Sequence, residues 1–263
     1  MKTELSLQEI KEISFDVLKH FCRFCTENNI RFFLSNGTLL GAIKYSGFIP
    51  WDDDIDVFVP REDYDRLVKS YQDSDRYKLF SPERVAEYRF PFSKLCDMTT
   101  LKEEYNIDNV VSLGVDIDIF PLDYCSEHIL RPNVQRKLKI YQIGCVLSKF
   151  TSSKGKPIHK RCIIRACRML GFRFFSSRLI KTVNKESALG SSHIGCLMWP
   201  IYGQREVVPA DVFSDTIEVD FEGEKFPAPA GYDVYLRSLY GDYEKDPPLD
   251  KQKSHHNYNA YRI

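Results

Sequence analysis

LSNGTLLGAIKYSGFIPWDDDIDVFVP, residues 34–60, is the stretch whose reading decides the fold. Residues 54–59 (DIDVFV) alternate polar and apolar side chains, the period of a β-strand, and Pro60 stops the run. Residues i and i+2 of a strand share a face about 6.5–7 Å apart. Asp54 and Asp56 therefore project together, while Ile55 and Val57 turn inward. Two carboxylates so placed can bind a hard divalent cation through oxygen, and without one they repel each other. Just upstream, Gly37 and Thr38 sit on a strand-to-helix turn, a place where backbone N–H groups and a hydroxyl can meet a phosphate. An acid run usually forms a solvated loop. Here the acids are interleaved with Ile, Val and Phe, and a half-buried strand needs a reason to carry them. A calcium-binding EF-hand loop is excluded, because counting from Asp52 its sixth and twelfth positions hold Val57 and Asp63 instead of Gly and Glu.

Working outward, Ser6 and Glu9 have the form of a capping box, and the apolar residues after them recur at helical spacing up to Asn28 and Asn29. Residues 30–34 read as a short buried strand, 38–45 as a short helix, and 61–71 as a charged surface helix. Further strands are expected at 90–95 and 115–120. A basic, largely helical region follows over about 131–188, then a hairpin around TIEVDFEGEKF, a helix over 233–240, and an irregular polar tail from Pro247.

The composition, 43% hydrophobic and 28% charged over 263 residues, is that of an ordinary globular protein. No apolar run approaches the ~18–20 residues of a membrane span, and the N-terminal residues lack the apolar core of a secretory signal, so the chain reads as cytoplasmic. Of the eight cysteines, Cys22 and Cys25 form a CxxC inside a helical pattern, and Cys162 and Cys167 are five apart, so reduced thiols are expected instead of a zinc site. The zero net charge conceals a segregation. Residues 131–185 hold 15 Lys and Arg and no Asp or Glu, leaving an excess of acid elsewhere.

With SNGTLLGAIKYSGFIPWDDDIDVFVPREDY, FPFSKLCDMTT, VDIDIFPLD and FEGEKFPAPAGYDVYLRSLYGDYEKDPP, the chain resembles the LicD family of phosphocholine transferases, which are similar here to fukutin and fukutin-related protein. The resemblance covers residues 30–125 well and 217–256 fairly. It implies an α+β, nucleotidyltransferase-like fold: a small mixed sheet flanked by helices, with the basic helical region inserted. The division it suggests is a catalytic core over 1–130, an insertion over 131–190, and a C-terminal part over 191–263 that completes the catalytic domain. By position, Asp54 and Asp56 match the family's metal-binding pair and Asp118 its third carboxylate, with Asp116 the rival on the same strand face. Asp52 matches an outer contact, Gly37 and Thr38 the phosphate-side turn, and Lys94 a basic residue suited to a phosphate oxygen. His255 and His256 resemble a polar family ending.

The implied chemistry is transfer of a substituted phosphate, phosphocholine or a polyol phosphate, from a CDP-activated donor such as CDP-choline to a sugar hydroxyl, releasing CMP. The acceptor would be a precursor of a cell-surface glycan, lipopolysaccharide or teichoic acid, and the cofactor Mg²⁺ or Mn²⁺ held by Asp54, Asp56 and Asp118. A nucleotidyltransferase moving NMP from NTP to a small molecule or RNA, and a catalytically silent binding protein, are the competing readings on the same fold. Nucleic acid is not expected as a partner, since no RNA-binding motif is present. Residues 131–185 instead suggest peripheral contact with the inner face of a membrane and a lipid-linked acceptor.

Overall fold

The computed structural model describes residues 2–104, 111–149, 157–248, 250, 252–253 and 258–263; His255 and His256 lie outside the described residues. The N-terminal helix forms as its cap dictates. After strand β1 (Thr3–Glu4), the Ser6 hydroxyl accepts from the Glu9 backbone N–H, and the Glu9 carboxylate accepts from that of Ser6. Helix α1 (Leu7–Glu27) then buries Val17, Leu18 and Phe21 against the sheet. Next come β2 (Phe33–Leu34), α2 (Asn36–Tyr45), β3 (Asp56–Pro60), α3 (Arg61–Ser70), β4 (Tyr77–Phe80), β5 (Ser93–Glu104) and β6 (Leu113–Cys125). The basic region supplies α4 (Pro132–Ser148), α5 (Ile158–Leu170) and α6 (Phe172–Ser187). Short strands β7 (His193–Gly195) and β8 (Val208–Pro209) lead to the expected hairpin, β9 (Thr216–Phe221) and β10 (Glu224–Pro229), then α7 (Tyr232–Tyr240) and β11 (Tyr258–Arg262).

The main sheet runs β1-β11-β5-β6-β3-β2, with β4 added on β5 and β7 and β8 extending from β6. It is mixed. β3 and β6 are parallel, and the remaining pairs in it are antiparallel. The α+β architecture expected from the sequence is thus present, with the largest apolar cluster lying between the sheet, α1 and the C-terminal elements. A second cluster joins Val134 and Leu138 of α4 and Leu179 and Val183 of α6 to Cys125 at the end of β6. The basic region is therefore seated on the sheet.

Three expectations need correction. Residue 54 is not in a strand, because β3 begins at Asp56. Its neighbour β2 ends at Leu34, opposite Val57, where the chain turns into α2, so β2 does not run alongside residues 54 and 55. The strand placed at 90–95 is longer and later, at Ser93–Glu104, whereas the one placed at 115–120 falls within the longer Leu113–Cys125. The polar tail also does not stay irregular. Its YNAYR segment pairs with β5 on one side and β1 on the other.

Candidate functional site

The site is assembled from a row of side chains across three adjacent strands. Asp56 of β3 is in register with Asp118 of β6, and Asp118 is in register with Lys94 of β5. Neighbouring strands lie about 4.8 Å apart, so these three side chains stand side by side on one face. The backbone of Asp56 is pinned. Its N–H donates to the Thr38 hydroxyl at 2.8 Å, and its carbonyl accepts from the Ser35 N–H at 3.0 Å. The N–H of Asp118 donates to the carbonyl of Ile55 at 2.8 Å, which locks the two acid-bearing strands in register.

Asp54 and Asp56 open together on a cavity of 740 Å³, whose wall also includes Asn36, Gly37 and Asp52. Asn36 starts α2 with φ +46°, a left-handed conformation that Asn tolerates better than most residues. Its side-chain carbonyl accepts from the Tyr235 hydroxyl at 2.8 Å, and its side chain hydrogen-bonds Asp56, favouring the carboxylate. A side chain at residue 37 would crowd the cavity: a Cβ on Gly37 would stand 2.9 Å from the Asp52 carboxylate.

Charge is distributed unevenly along the row. Burial pushes the Asp56 carboxyl well above its ordinary range, and the charges of Asp54 and Asp118 push it further. Burial likewise raises Asp118, to about 6, against the opposing pull of Lys94. Asp116 behaves oppositely. Although burial disfavours its charge, Lys102 and Lys94 together hold it well below the usual carboxylate range. Lys94, 4% exposed, donates to Asp116 at 2.5 Å and to Asp118, while Lys102 donates to Asp116 at 2.7 Å. Asp116 is thus a counter-ion enclosed by two lysines. Asp118 is the acid whose field reaches Asp56.

The expected residues divide accordingly. Asp54, Asp56 and Gly37 share the cavity, and Asp118 is the cross-strand neighbour of Asp56. Thr38 is buried with its hydroxyl already accepting from Asp56, which makes it a positioning group for that aspartate. Lys94 lies inside the sheet face as the cation between two aspartates. Among the described residues, no three His, Cys, Asp or Glu side chains are gathered into a ready metal-ligating group. The donor chemistry still suits a hard cation: Asp54 and Asp56 present carboxylate oxygens to one cavity, and the ionisation of Asp56 is opposed by neighbouring negative charge that a cation would offset.

Several site residues are not singled out by sequence reasoning. Tyr202, Tyr240 and Lys245 line the cavity from segments distant in the chain from Asp54 and Asp56. Lys149, next to the last residue of α4, is buried with its ammonium 3.1 Å from the Phe90 ring centroid and 5.7 Å from that of Trp199. Burial lowers its pKa to about 7, and it lies within the electrostatic reach of Lys94 and Asp118. The basic region thus abuts the acid row. All eight cysteines are free thiols, as expected.

Residues 29–142 match the family model described as LicD/FKTN/FKRP, nucleotidyltransferase domain. Over 264 aligned residues the chain is 29% identical to the lipopolysaccharide cholinephosphotransferase LicD of Haemophilus influenzae, with 98% of each chain covered. Shorter likenesses occur to uncharacterised proteins of Rickettsia typhi, 40% identical over 58 residues, and Rickettsia prowazekii, 39% over 62. These cover 22% and 24% of this chain and 19% and 21% of the two relatives.

Proposed function

From its likeness to the LicD family we propose that the chain is a member of it and a metal-dependent phosphotransferase, moving phosphocholine or a related alcohol phosphate from a CDP-activated donor to a sugar hydroxyl of lipopolysaccharide or a similar glycan. The observation that carries the reading is the in-register pair Asp56 and Asp118 beside a cavity that Asp54 also faces. The cavity, at 740 Å³, has the size of a small-molecule site, and Trp51, Tyr202 and Tyr240 offer it aromatic faces on which a pyrimidine can stack. Mg²⁺ or Mn²⁺ held by Asp54 and Asp56, with Asp118 as third carboxylate, would supply neutralisation of donor-phosphate charge and of the departing nucleotide. Asp118 would accept the proton of the attacking hydroxyl, a role supported by a pKa of about 6 that keeps it mostly ionised yet basic at neutral pH. Asn36 and Thr38 orient Asp56, one at the side chain and one at the backbone. Lys94 keeps Asp116 and Asp118 apart in charge while holding both in place.

The test is CMP release from a panel of CDP-alcohols with lipopolysaccharide acceptor and Mg²⁺. Asp118→Asn is expected to slow single-turnover transfer by about 10²-fold or more, the usual worth of a positioned general base. Asp116→Asn is expected to weaken the fold but keep near-normal chemistry per folded molecule. A silent Asp118→Asn beside an inactive Asp116→Asn would exchange the two assignments.

A further inference from the structure

Helix α5 is amphipathic with its apolar side outward. Of its 13 residues only Ile164 is buried. At about 100° per residue, Ile158, Cys162, Ala166 and Met169 fall on one stripe, which Ile163 and Leu170 widen. That stripe faces solvent: Ile158 is 77% exposed, Met169 81%, and Ile163 and Leu170 are each more than half exposed. Along one flank run Arg161, Arg165 and Arg168, spaced at i, i+4 and i+7. Large exposed apolar side chains in such a row are not the usual surface of a globular protein. Elsewhere in the basic region Phe172, Phe175 and Leu179 are core, while Ile140, Ile143 and Phe174 are also exposed.

We propose that α5 lies in the headgroup region of an anionic membrane, with Ile158, Ile163, Met169 and Leu170 inserted and its arginines on lipid phosphates. A bilayer offers the apolar layer and the anionic surface that this helix face matches together. A second copy would bring another acid-free run of fifteen cations, residues 131–185, to the same contact. Nucleic acid would leave the apolar stripe in water. The helix lies in the interface and does not cross it: thirteen residues rise about 20 Å, short of the ~30 Å hydrocarbon core. Among the described residues no helix is long and apolar enough to span. Because α4 and α6 fix this region to β6, and Lys149 reaches the field of Asp118, docking through α5 would hold the acid row at a set height above the lipid surface. The purpose of that arrangement, meeting a lipid-borne acceptor, rests on the function proposed above; the binding itself does not.

The experiment is sedimentation of the purified full chain with vesicles of phosphatidylcholine alone or with 30 mol% phosphatidylglycerol. Binding to the anionic vesicles is expected to exceed binding to the neutral ones by about tenfold or more and to fall as salt is raised. Met169→Ser with Leu170→Ser, and separately Arg161→Gln with Arg165→Gln, should each lower anionic-vesicle binding about tenfold or more while CMP release on a soluble acceptor is unchanged. Equal recovery with both vesicle types, or none with either, overturns the proposal. So does a concentration-dependent dimer in solution that the Ser variant abolishes, since the occupant of the face would then be a second copy. Vesicle binding without CMP release would refute the proposed function and leave this inference standing.

Discussion

Replacing Asp56 with asparagine is expected to lower turnover about 10³-fold while the metal-free protein melts no lower, and at alkaline pH higher, than the unaltered chain. The loss of rate follows from removing one carboxylate from the donor set, a deficit of several kcal/mol in charge stabilisation. The stability gain follows from burial and from the charges of Asp54 and Asp118, which disfavour ionised Asp56 in the folded state. Its pKa is raised on folding, so the penalty is absent below the unfolded value near 4, grows as pH rises toward the folded value and is constant above it. Asparagine removes that penalty and can still accept from the side chain of Asn36. Melting curves in EDTA from pH 4 to 9, beside single-turnover kinetics, read both halves. Near-normal turnover at saturating Mg²⁺ would remove Asp56 from the site.

Lys94→Met is expected to cost about 3–5 kcal/mol of stability, the cost of leaving a buried counter-charge uncompensated. Lys94 is the only cation seen in hydrogen-bond contact with Asp118 among the described residues, whereas Asp116 keeps Lys102. Asp118 should therefore bind a proton more readily in the variant, and the deficit should grow from acid to neutral pH. Adding Asp118→Asn should restore most of the loss, giving a large coupling in the double-mutant cycle. Urea midpoints for the four proteins decide it. A single variant that unfolds where the parent does would mean that the lysine is not compensating that charge.

The parts of the fold visible in the sequence are those fixed by local rules. Ser6 and Glu9 announce α1 because a capping box is satisfied within four residues, and TIEVDFEGEKF announces β9 and β10 because alternation and a Gly turn are local. The alternation at residues 54–59 correctly places the acids near one another but overextends the strand, since strand membership depends on a neighbour and β2 stops at Leu34. Asp118 and Asp116 share strand parity, so no periodicity separates them. Only the register with Asp56 and the position of Lys102 do, and both are tertiary. Lys94 reads, by resemblance, as a cation for a phosphate oxygen, because a sequence gives no sign that two aspartates enclose it. The apolar residues of the basic region look alike in the sequence, yet Phe175 and Leu179 are core while Met169 and Ile158 are exposed. The strand YNAYR is hidden by its own polarity, because it is held by backbone pairing with β5 on one side and β1 on the other.

That strand bears on how the chain reaches its fold. β5 is twelve residues long, and its outer end, from Thr100 to Glu104, is covered by residues 258–262, which are synthesised well over a hundred residues later. The parallel pairing that sets Asp56 beside Asp118 also spans a long stretch of chain, so loop-closure entropy opposes it until many contacts form together. During synthesis β5 therefore presents open backbone donors and acceptors, the condition under which nascent sheets pair with the wrong neighbour. Lys102 and Glu103 put charge on that segment, the pattern by which natural sheets discourage pairing between two unfinished chains until β11 arrives.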